Sequence, residues 1–293
     1  MPDEPDTSLP AGLQTVELNE ADAGRCLALS IEAGWNQSLQ DWQLMLDYGT
    51  GFGIESADTL VGTAVIVPYP PEIAWISMVL VAKEWRRKGL GTELMRRCIS
   101  SCNSLNLVPF LDATEDGIPV YLSLGFTGSK SISRFTRQDS RPGSAGIENR
   151  RRSRVGITAD WQEINRTDLK TFRANRASIL ESLVGRTSGV TLLVSDSGHG
   201  AGAVTGRPGI RFYHIGPLLA SSDTHAIELV ETILNKTSGP FTIDVPDVHY
   251  GFQESLRILG FERQRSFRRM HLGDVKGVAD PDGYYAIAGP EYG

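Results

Sequence analysis

The stretch Val79-Leu80-Val81-Ala82-Lys83-Glu84-Trp85-Arg86-Arg87-Lys88-Gly89-Leu90-Gly91-Thr92 sets consecutive cations and two spaced glycines between an apolar run and a helical pattern. A strand ending near Val81 and a helix opening near Thr92 would make this a strand-to-helix turn. Glycines at 89 and 91 let backbone approach a ligand closely and adopt torsions closed to other residues. The first-turn N–H groups of the helix have no intrahelical acceptor and, with the helix dipole, favour an anion. Arg86, Arg87 and Lys88 add positive charge at the same place. The chemistry implied is recognition of a phosphate or pyrophosphate, against the plainer reading of a basic, solvent-exposed turn.

Two other phosphate motifs fail on their residues. A Walker A loop needs Gly-Lys followed by Ser or Thr at fixed spacing, which is absent. A dinucleotide fingerprint needs a third glycine, but Gly91 is followed by Thr92, Glu93 and Leu94.

The surrounding elements are legible from their periodicity. Asn19-Glu20-Ala21-Asp22 reads as a helix start, with Cys26, Leu27 and Ile31 recurring at helical spacing. Ser38 with Asp41 three residues on marks a second, with Leu39, Trp42 and Leu46 on one face. Strands are expected over Leu60–Val67 and Ile73–Val81, separated by Pro68-Tyr69-Pro70-Pro71. Thr92–Cys102 carries the apolar stripe Leu94, Met95, Cys98, Ile99 and Cys102. Val108–Leu111 reads as a short strand and Val120–Leu124 as a short helix closed by Gly125. Mixed helices and strands around one sheet give an α/β or α+β fold class.

From 138 to 155 the pattern collapses into an expected linker ending in Arg150-Arg151-Arg152-Ser153-Arg154. Those arginines read as a solvated charge block, or as a group reaching a phosphate or acidic partner. The second half then echoes the first. Leu111-Asp112 followed by Leu124-Gly125-Phe126 returns as Ile243-Asp244 followed by Leu259-Gly260-Phe261. A basic-aromatic strand follows each, at Ser133–Arg137 and Arg265–Arg269. Two blocks in one order suggest a duplicated fold.

Val-x-Val followed by Arg86-x-x-Gly89-x-Gly91 at a helix start resembles the acetyl-CoA loop of the GNAT superfamily of N-acyltransferases. Downstream, Thr114-x-x-Gly117-x-x-x-Tyr121-x-x-x-Gly125-Phe126 is similar to that superfamily's second block. Many members have proline in the loop's lead-in where this chain has Lys83, a change of backbone stiffness and not of phosphate donors. The resemblance implies two GNAT-like domains, each a mixed, mostly antiparallel sheet flanked by helices. The expected boundaries are 12–137 for an acetyl-CoA-binding domain, 138–155 for the linker and 156–293 for a degenerate second domain. Gly216-Pro217-Leu218-Leu219-Ala220-Ser221-Ser222 precedes a helix in that second domain but lacks paired glycines and cations, which implies that it binds no coenzyme A.

What the resemblance implies for function is direct transfer of an acetyl group from acetyl-CoA to a primary amine of a small molecule. Backbone groups of Val79, Leu80 and Val81 would meet the pantetheine arm. Arg86, Arg87, Lys88, Gly89, Leu90, Gly91 and Thr92 would hold the pyrophosphate, with Thr114, Gly117 and Tyr121 completing the cofactor contacts. Tyr121 takes the family's tyrosine position and is the candidate general acid, or a tyrosine that only packs its helix. Asp112, at the end of the preceding strand, could accept a proton through water or could cap backbone amides; Glu72 is a weaker candidate base. Trp35, Asn36 and Gln37, between the first two helices, combine an aromatic wall with amides suited to an acceptor pocket. Trp42 could join them or belong to the core, and Phe172, Arg176 or Asp244 could close the pocket from the second domain.

Composition bounds the alternatives. The 293 residues carry 29 Lys and Arg against 35 Asp and Glu, a net charge of −6 that disfavours nonspecific nucleic-acid binding. No run approaches the length of a membrane span, and the start Met1-Pro2-Asp3-Glu4 lacks a secretory signal's pattern. A cytoplasmic protein with no membrane or nucleic-acid partner, monomeric or homodimeric, is expected. Three scattered cysteines and five histidines without ligand spacing imply no metal. The alternatives on the acetyltransferase theme are a noncatalytic acyl-CoA-binding or sensor protein and an acetyltransferase of peptide or protein amines.

Overall fold

Helix starts in the first fifty residues are set by short polar caps. In a computed structural model that describes residues 9–138, 154–157, 161–186, 189–196, 199–274 and 281–293, Asn19 accepts from the Ala21 amide and shares a capping box with Asp22. A 3-10 turn follows and leads into α1 (Ala23–Ala33). Ser38 and Asp41 form the second expected capping box, opening α2 (Leu39–Tyr48). The buried face of α1 is Ala23, Cys26, Leu29 and Ser30. Ile31, expected inside, is 57% exposed.

The chain divides into two compact units at Pro109/Phe110. In the first, β1 (Leu13–Leu18), β2 (Thr50–Ser56), β3 (Thr59–Tyr69) and β4 (Ile73–Val81) pair antiparallel in that order. The α3 helix (Leu90–Ser104) buries Leu90, Leu94, Met95, Cys98 and Cys102, the stripe read from sequence with Leu90 added at its head and Ile99 only half-buried. Trp42 is fully buried, its indole N–H donating to Ser30 Oγ at 3.0 Å. It is a core residue and takes no part in an acceptor pocket. Burial pushes the Cys26 and Cys102 thiols up to about 12 and Cys98 well above its ordinary range, so they pack as small apolar groups.

The second unit holds β5 (Val108–Ala113) from Phe110 onward, α4 (Ile118–Ser123), β6 (Thr127–Arg137), β7 (Arg154–Ile157), α5 (Trp161–Phe172) and α6 (Ala177–Val184). It continues with β8 (Val190–Asp196), β9 (His199–Pro208), β10 (Tyr213–Ala220), α7 (Asp223–Lys236), β11 (Phe241–Pro246), α8 (Tyr250–Ile258), β12 (Glu262–His271) and β13 (Tyr284–Ala286). Strand order there is β5-β12-β6-β11-β10-β9-β8-β7, with β13 on β10. Most neighbours are antiparallel, and β10 with β11 is parallel. The segment 139–153, which takes in most of the expected linker and all of its arginine block but Arg154, lies outside the described residues.

The repeat read from sequence is present as β5-α4-β6 and β11-α8-β12. Each short helix ends alike: Gly125 and Gly260 take left-handed φ of 88° and 84°. The next amide, Phe126 or Phe261, donates back to Tyr121 O or Leu256 O at 3.0 Å, and both phenyl rings are buried. The Gly-Phe signature therefore closes a helix and plugs a core ring.

The repeats exchange strands. β5 pairs with β12 of the other repeat, β11 pairs with β6, and β6 pairs with β12. Phe135 from β6 accordingly joins a core made largely of second-repeat residues, among them Ile215, Leu229, Ile243 and Phe252. This pairing puts the first repeat's β5 and β6 in the second compact unit, and the contact boundary falls before the expected linker.

Two reciprocal ion pairs follow the exchange. Arg269 of β12 donates from Nε and Nη2 to Asp112 of β5 at 2.9 and 2.8 Å. Arg134 of β6 donates likewise to Asp244 of β11 at 2.6 and 2.7 Å. Against the burial that would raise it, the Arg134 guanidinium holds the Asp244 carboxyl below its usual range, whereas burial outweighs Arg269 and pushes Asp112 up. Phe172, Arg176 and Asp244 are buried within this unit, Arg176 being paired with Asp168. They are core groups here and not the pocket-closing side chains expected from sequence.

His214, 4% exposed, gives the unit an acid sensitivity. Burial, reinforced by Arg207 and Arg134 and opposed by Asp244, pulls its imidazole down to about 3. In the unfolded chain it titrates near 6.5 (about the free value), so below that pH the unfolded state binds the extra proton. Its contribution is complete above pH 6.5 and is lost as pH falls toward 3, at about 1.4 kcal/mol per unit. Urea unfolding from pH 7 to 4 should show a steeper loss in wild type than in His214→Gln; parallel curves would mean that His214 titrates normally.

Candidate active site

The expected phosphate loop is built on β4 and α3. Near the end of β4, Leu80 and Val81 pair with Thr63 and Gly62, but Ser77 pairs with Val65, so Met78 and Val79 together stand opposite Ala64. Met78 takes φ +53°, and Thr63 Oγ1 donates to its carbonyl at 2.9 Å. This bulge removes Val79 from the β3 ladder and turns its peptide groups elsewhere, at a residue expected to meet the pantetheine arm. The bulge has no signal in the sequence beyond an apolar run broken at Ser77.

After Val81 the chain makes a 3-10 turn, Lys83–Trp85, whose first amide donates to Glu32 Oε1 at 2.8 Å and so ties the loop to α1. Arg86 donates from Nε to Val81 O at 3.1 Å, bracing the loop against the end of β4. Lys88 stands over the Trp85 ring at 4.6 Å. Arg87 takes φ +60° and Gly89 φ +84°, and Gly89 is the N-cap of α3. A glycine cannot cap with a side chain, and no side chain caps this helix. A Cβ built on Gly89 meets nothing within 4 Å, and one on Gly91 meets only Val81 Cγ2 at 3.9 Å. An uncapped 15-residue helix, an open glycine cradle and exposed Arg86, Arg87 and Lys88 suit a phosphorylated ligand such as the coenzyme A end of acetyl-CoA.

The second block lies in the other unit. Thr114 O accepts from the Gly117 and Ile118 amides at 3.0 and 3.1 Å, opening α4. Tyr121 lies over Gly117 so closely that a Cβ there would stand 2.7 Å from the Tyr121 ring. That explains a small residue three positions after Thr114. The tyrosine ring is half-buried and tilts against Phe126 with centroids 6.1 Å apart. In the second repeat, Leu256 stands in Tyr121's place before the closing glycine, so that repeat has no hydroxyl there.

Asp112 lies at the end of β5 as its sequence context suggested, but it takes a different role. Its side chain is wholly buried and both carboxylate oxygens accept from Arg269, which makes it an ion-pair anchor between strands and not an open base or a cap. Trp35, Asn36 and Gln37 form the connection between α1 and α2. Gly34 closes α1 at φ +71° and the Trp35 amide donates to Ser30 O at 2.9 Å. Trp35 and Asn36 are half-buried and Gln37 is buried.

Residues 20–126 match the Acetyltransferase (GNAT) family and residues 164–283 match an Acetyltransferase (GNAT) domain. An uncharacterized N-acetyltransferase of Bacillus subtilis, YitH, is 24% identical over 258 residues, covering 85% of this chain and 88% of the relative. The holothin acyltransferase of a Pseudoalteromonas species is 27% identical over 263 residues, covering 80% and 86%. Among solved structures, a Pyrococcus horikoshii protein superposes with a TM-score of 0.82 at 22% identity over the whole of both chains. A tandem GNAT protein from the clavulanic acid biosynthesis pathway gives 0.64 at 14%, covering 90% of this chain and all of the other. These structural likenesses are ones of fold; the family matches in both halves and the acetyltransferase relatives carry the activity class. The chain belongs to the GNAT superfamily as a tandem N-acetyltransferase, with one such domain in each half of the polypeptide.

Proposed function

We propose that the first repeat binds acetyl-CoA and acetylates a primary amine of a small molecule. The observation that carries this reading is the uncapped α3 N-terminus, with its open cradle at Gly89 and Gly91 and its cations. Acetyl-CoA supplies, when bound, an activated acyl group on a thiol leaving group. The chain's own part is to hold it: amides of Leu90, Gly91 and Thr92 take the pyrophosphate, Arg87 and Lys88 add charge, and the bulged Met78–Val79 backbone orients the acyl end. Fixing the remote end of a substrate lowers the barrier by removing freedom at the reacting end.

Tyr121 Oη is assigned the proton for the departing sulfur. No side-chain base is assigned, because Asp112 is engaged by Arg269; the amine must reach the site neutral or lose its proton to water. Trp35, Asn36 and Gln37 are assigned to the acceptor. The Pseudoalteromonas relative is named an acyltransferase, so longer acyl groups belong in the same assay.

Calorimetric titration with acetyl-CoA, followed by a thiol-release screen of small primary amines and of peptides, tests the whole reading. Micromolar binding and turnover confined to small amines is expected; turnover only on peptides would replace the acceptor class. Tyr121→Phe should lower kcat about 100-fold and leave acetyl-CoA affinity unchanged, with the alkaline limb of the pH–rate profile lost. Unchanged turnover would return Tyr121 to a packing role.

A further inference from the structure

In the first repeat, the end of β4 and the first turn of α3 offer backbone groups to a ligand. Their counterparts in the second repeat, by chain order, are β10 and α7, and both are engaged by the chain itself. β10 runs beside β11 only from Tyr213 to Ile215, against Phe241 to Ile243. Beyond that, β13 takes the β10 edge, with Leu218 opposite Ala286 and Leu219 opposite Tyr284. On its other side the Ile287 amide donates to Asp244 O of β11 at 3.0 Å. Residues 284–287 are thus wedged between two diverging strands, at the head of segment 284–293.

The wedge is fitted, not merely adjacent. A Cβ on Gly216 would stand 2.1 Å from Ile287 O, so only glycine admits the segment at that point. His249 Nε2 lies 3.0 Å from Tyr284 O, and its ring stacks on Tyr285 with centroids 4.0 Å apart. Arg207 donates to Ala288 O and to the Glu291 carboxylate, both at 2.7 Å, and Arg176 donates to Tyr292 O at 3.1 Å. Tyr285 Oη donates to Asp223 at 2.8 Å. Asp223 opens α7 where Leu90 opens α3, and it sets a carboxylate in a first turn that in the first repeat favours an anionic ligand. Ser222 caps α7, accepting from the His225 amide.

We infer that the second repeat is a slot for an extended peptide, filled in cis by residues 284–293, and that this filling leaves one acyl-CoA site per chain. Main-chain pairing along a strand edge supplies the hold, and pockets for Tyr284 and Tyr285 supply the register. Displacing the segment would leave the buried Arg207 without its carboxylate partner, a cost that a neutral pantetheine arm cannot offset. The count of one rests on the loop reading given above; the slot itself does not.

Hydrogen–deuterium exchange on the full chain, with and without millimolar acetyl-CoA, tests this beside calorimetric stoichiometry. Amides of 284–288 should exchange as slowly as those of β10 and β11, be unmoved by acetyl-CoA, and accompany one binding equivalent. Gly216→Ala should speed their exchange about 100-fold and Glu291→Gln about tenfold, with β1–β4 unaffected. Fast exchange of these amides in wild type would overturn the proposal. So would a second equivalent of acetyl-CoA that accelerates their exchange, since the segment would then be a gate. Absence of any acetyl-CoA binding would strike the loop reading instead, and the exchange rates would still decide the slot.

Discussion

A Gly89→Glu, Gly91→Glu chain should lose acetyl-CoA binding by about 1000-fold or more while remaining folded. Hydrogen bonds from backbone amides to a charged group are worth about 1.5–3 kcal/mol each, and each 1.4 kcal/mol is a factor of ten. The variant sets two carboxylates at the positive end of a 15-residue helix, in the place where the anion would sit. Folding should tolerate the change, because the added side chains enter open space at Gly89 and reach only Val81 Cγ2 at Gly91. Gly89 has φ +84°, so a non-glycine residue there costs about 1–2 kcal/mol of backbone strain. Gly91→Glu alone avoids that strain and should still weaken binding at least tenfold, separating electrostatics from fold damage. Titration of the three chains with acetyl-CoA, each checked by thermal melting, gives the answer. Undiminished affinity in a folded double variant would move the cofactor off this loop.

That loop was readable in advance because its chemistry is local: cations, glycines and helix start are contiguous in sequence. The capping boxes at Asn19 and Ser38 were readable for the same reason. β2 was not, since the two glycines of Thr50-Gly-Phe-Gly-Ile-Glu-Ser weaken its strand pattern. Its glycines are there for packing: a Cβ on Gly51 would stand 2.5 Å from Leu46, and one on Gly53 2.8 Å from Val16. The α1 stripe was legible at Cys26 and failed at Ile31, which continues the apolar spacing yet points outward, while Ser30 turns inward to bond Trp42. Asp112 and Asp244 were visible as a repeated residue, but nothing local says which arginine each will meet. The exchange of β6 and β12 is a choice of partners more than a hundred residues apart, and a strand's own sequence specifies its face, not its neighbour.

The exchange itself makes the second large prediction. Asp244→Ala leaves Arg134 charged, buried and without a carboxylate, which costs about 3–5 kcal/mol. For a unit of this size that is a fall in melting temperature of about 10 °C. Arg134→Met with Asp244→Leu removes both charges and restores apolar volume, so it should recover most of the loss. Because Arg134 belongs to the first repeat and Asp244 to the second, the damage should not stay in one of them. Hydrogen exchange in Asp244→Ala should speed together in β6, β11 and β12, since β6 pairs with both of the others. If β11 loosens while β6 and β12 keep wild-type protection, the repeats fold as separate bodies and the reciprocal pairing is not what holds them. Asp112→Ala, breaking the mirror pair with Arg269, should reproduce the coupled loss in β5, β12 and β6. It should also slow catalysis by no more than the destabilisation accounts for, since its carboxylate serves the strand pairing and not proton transfer.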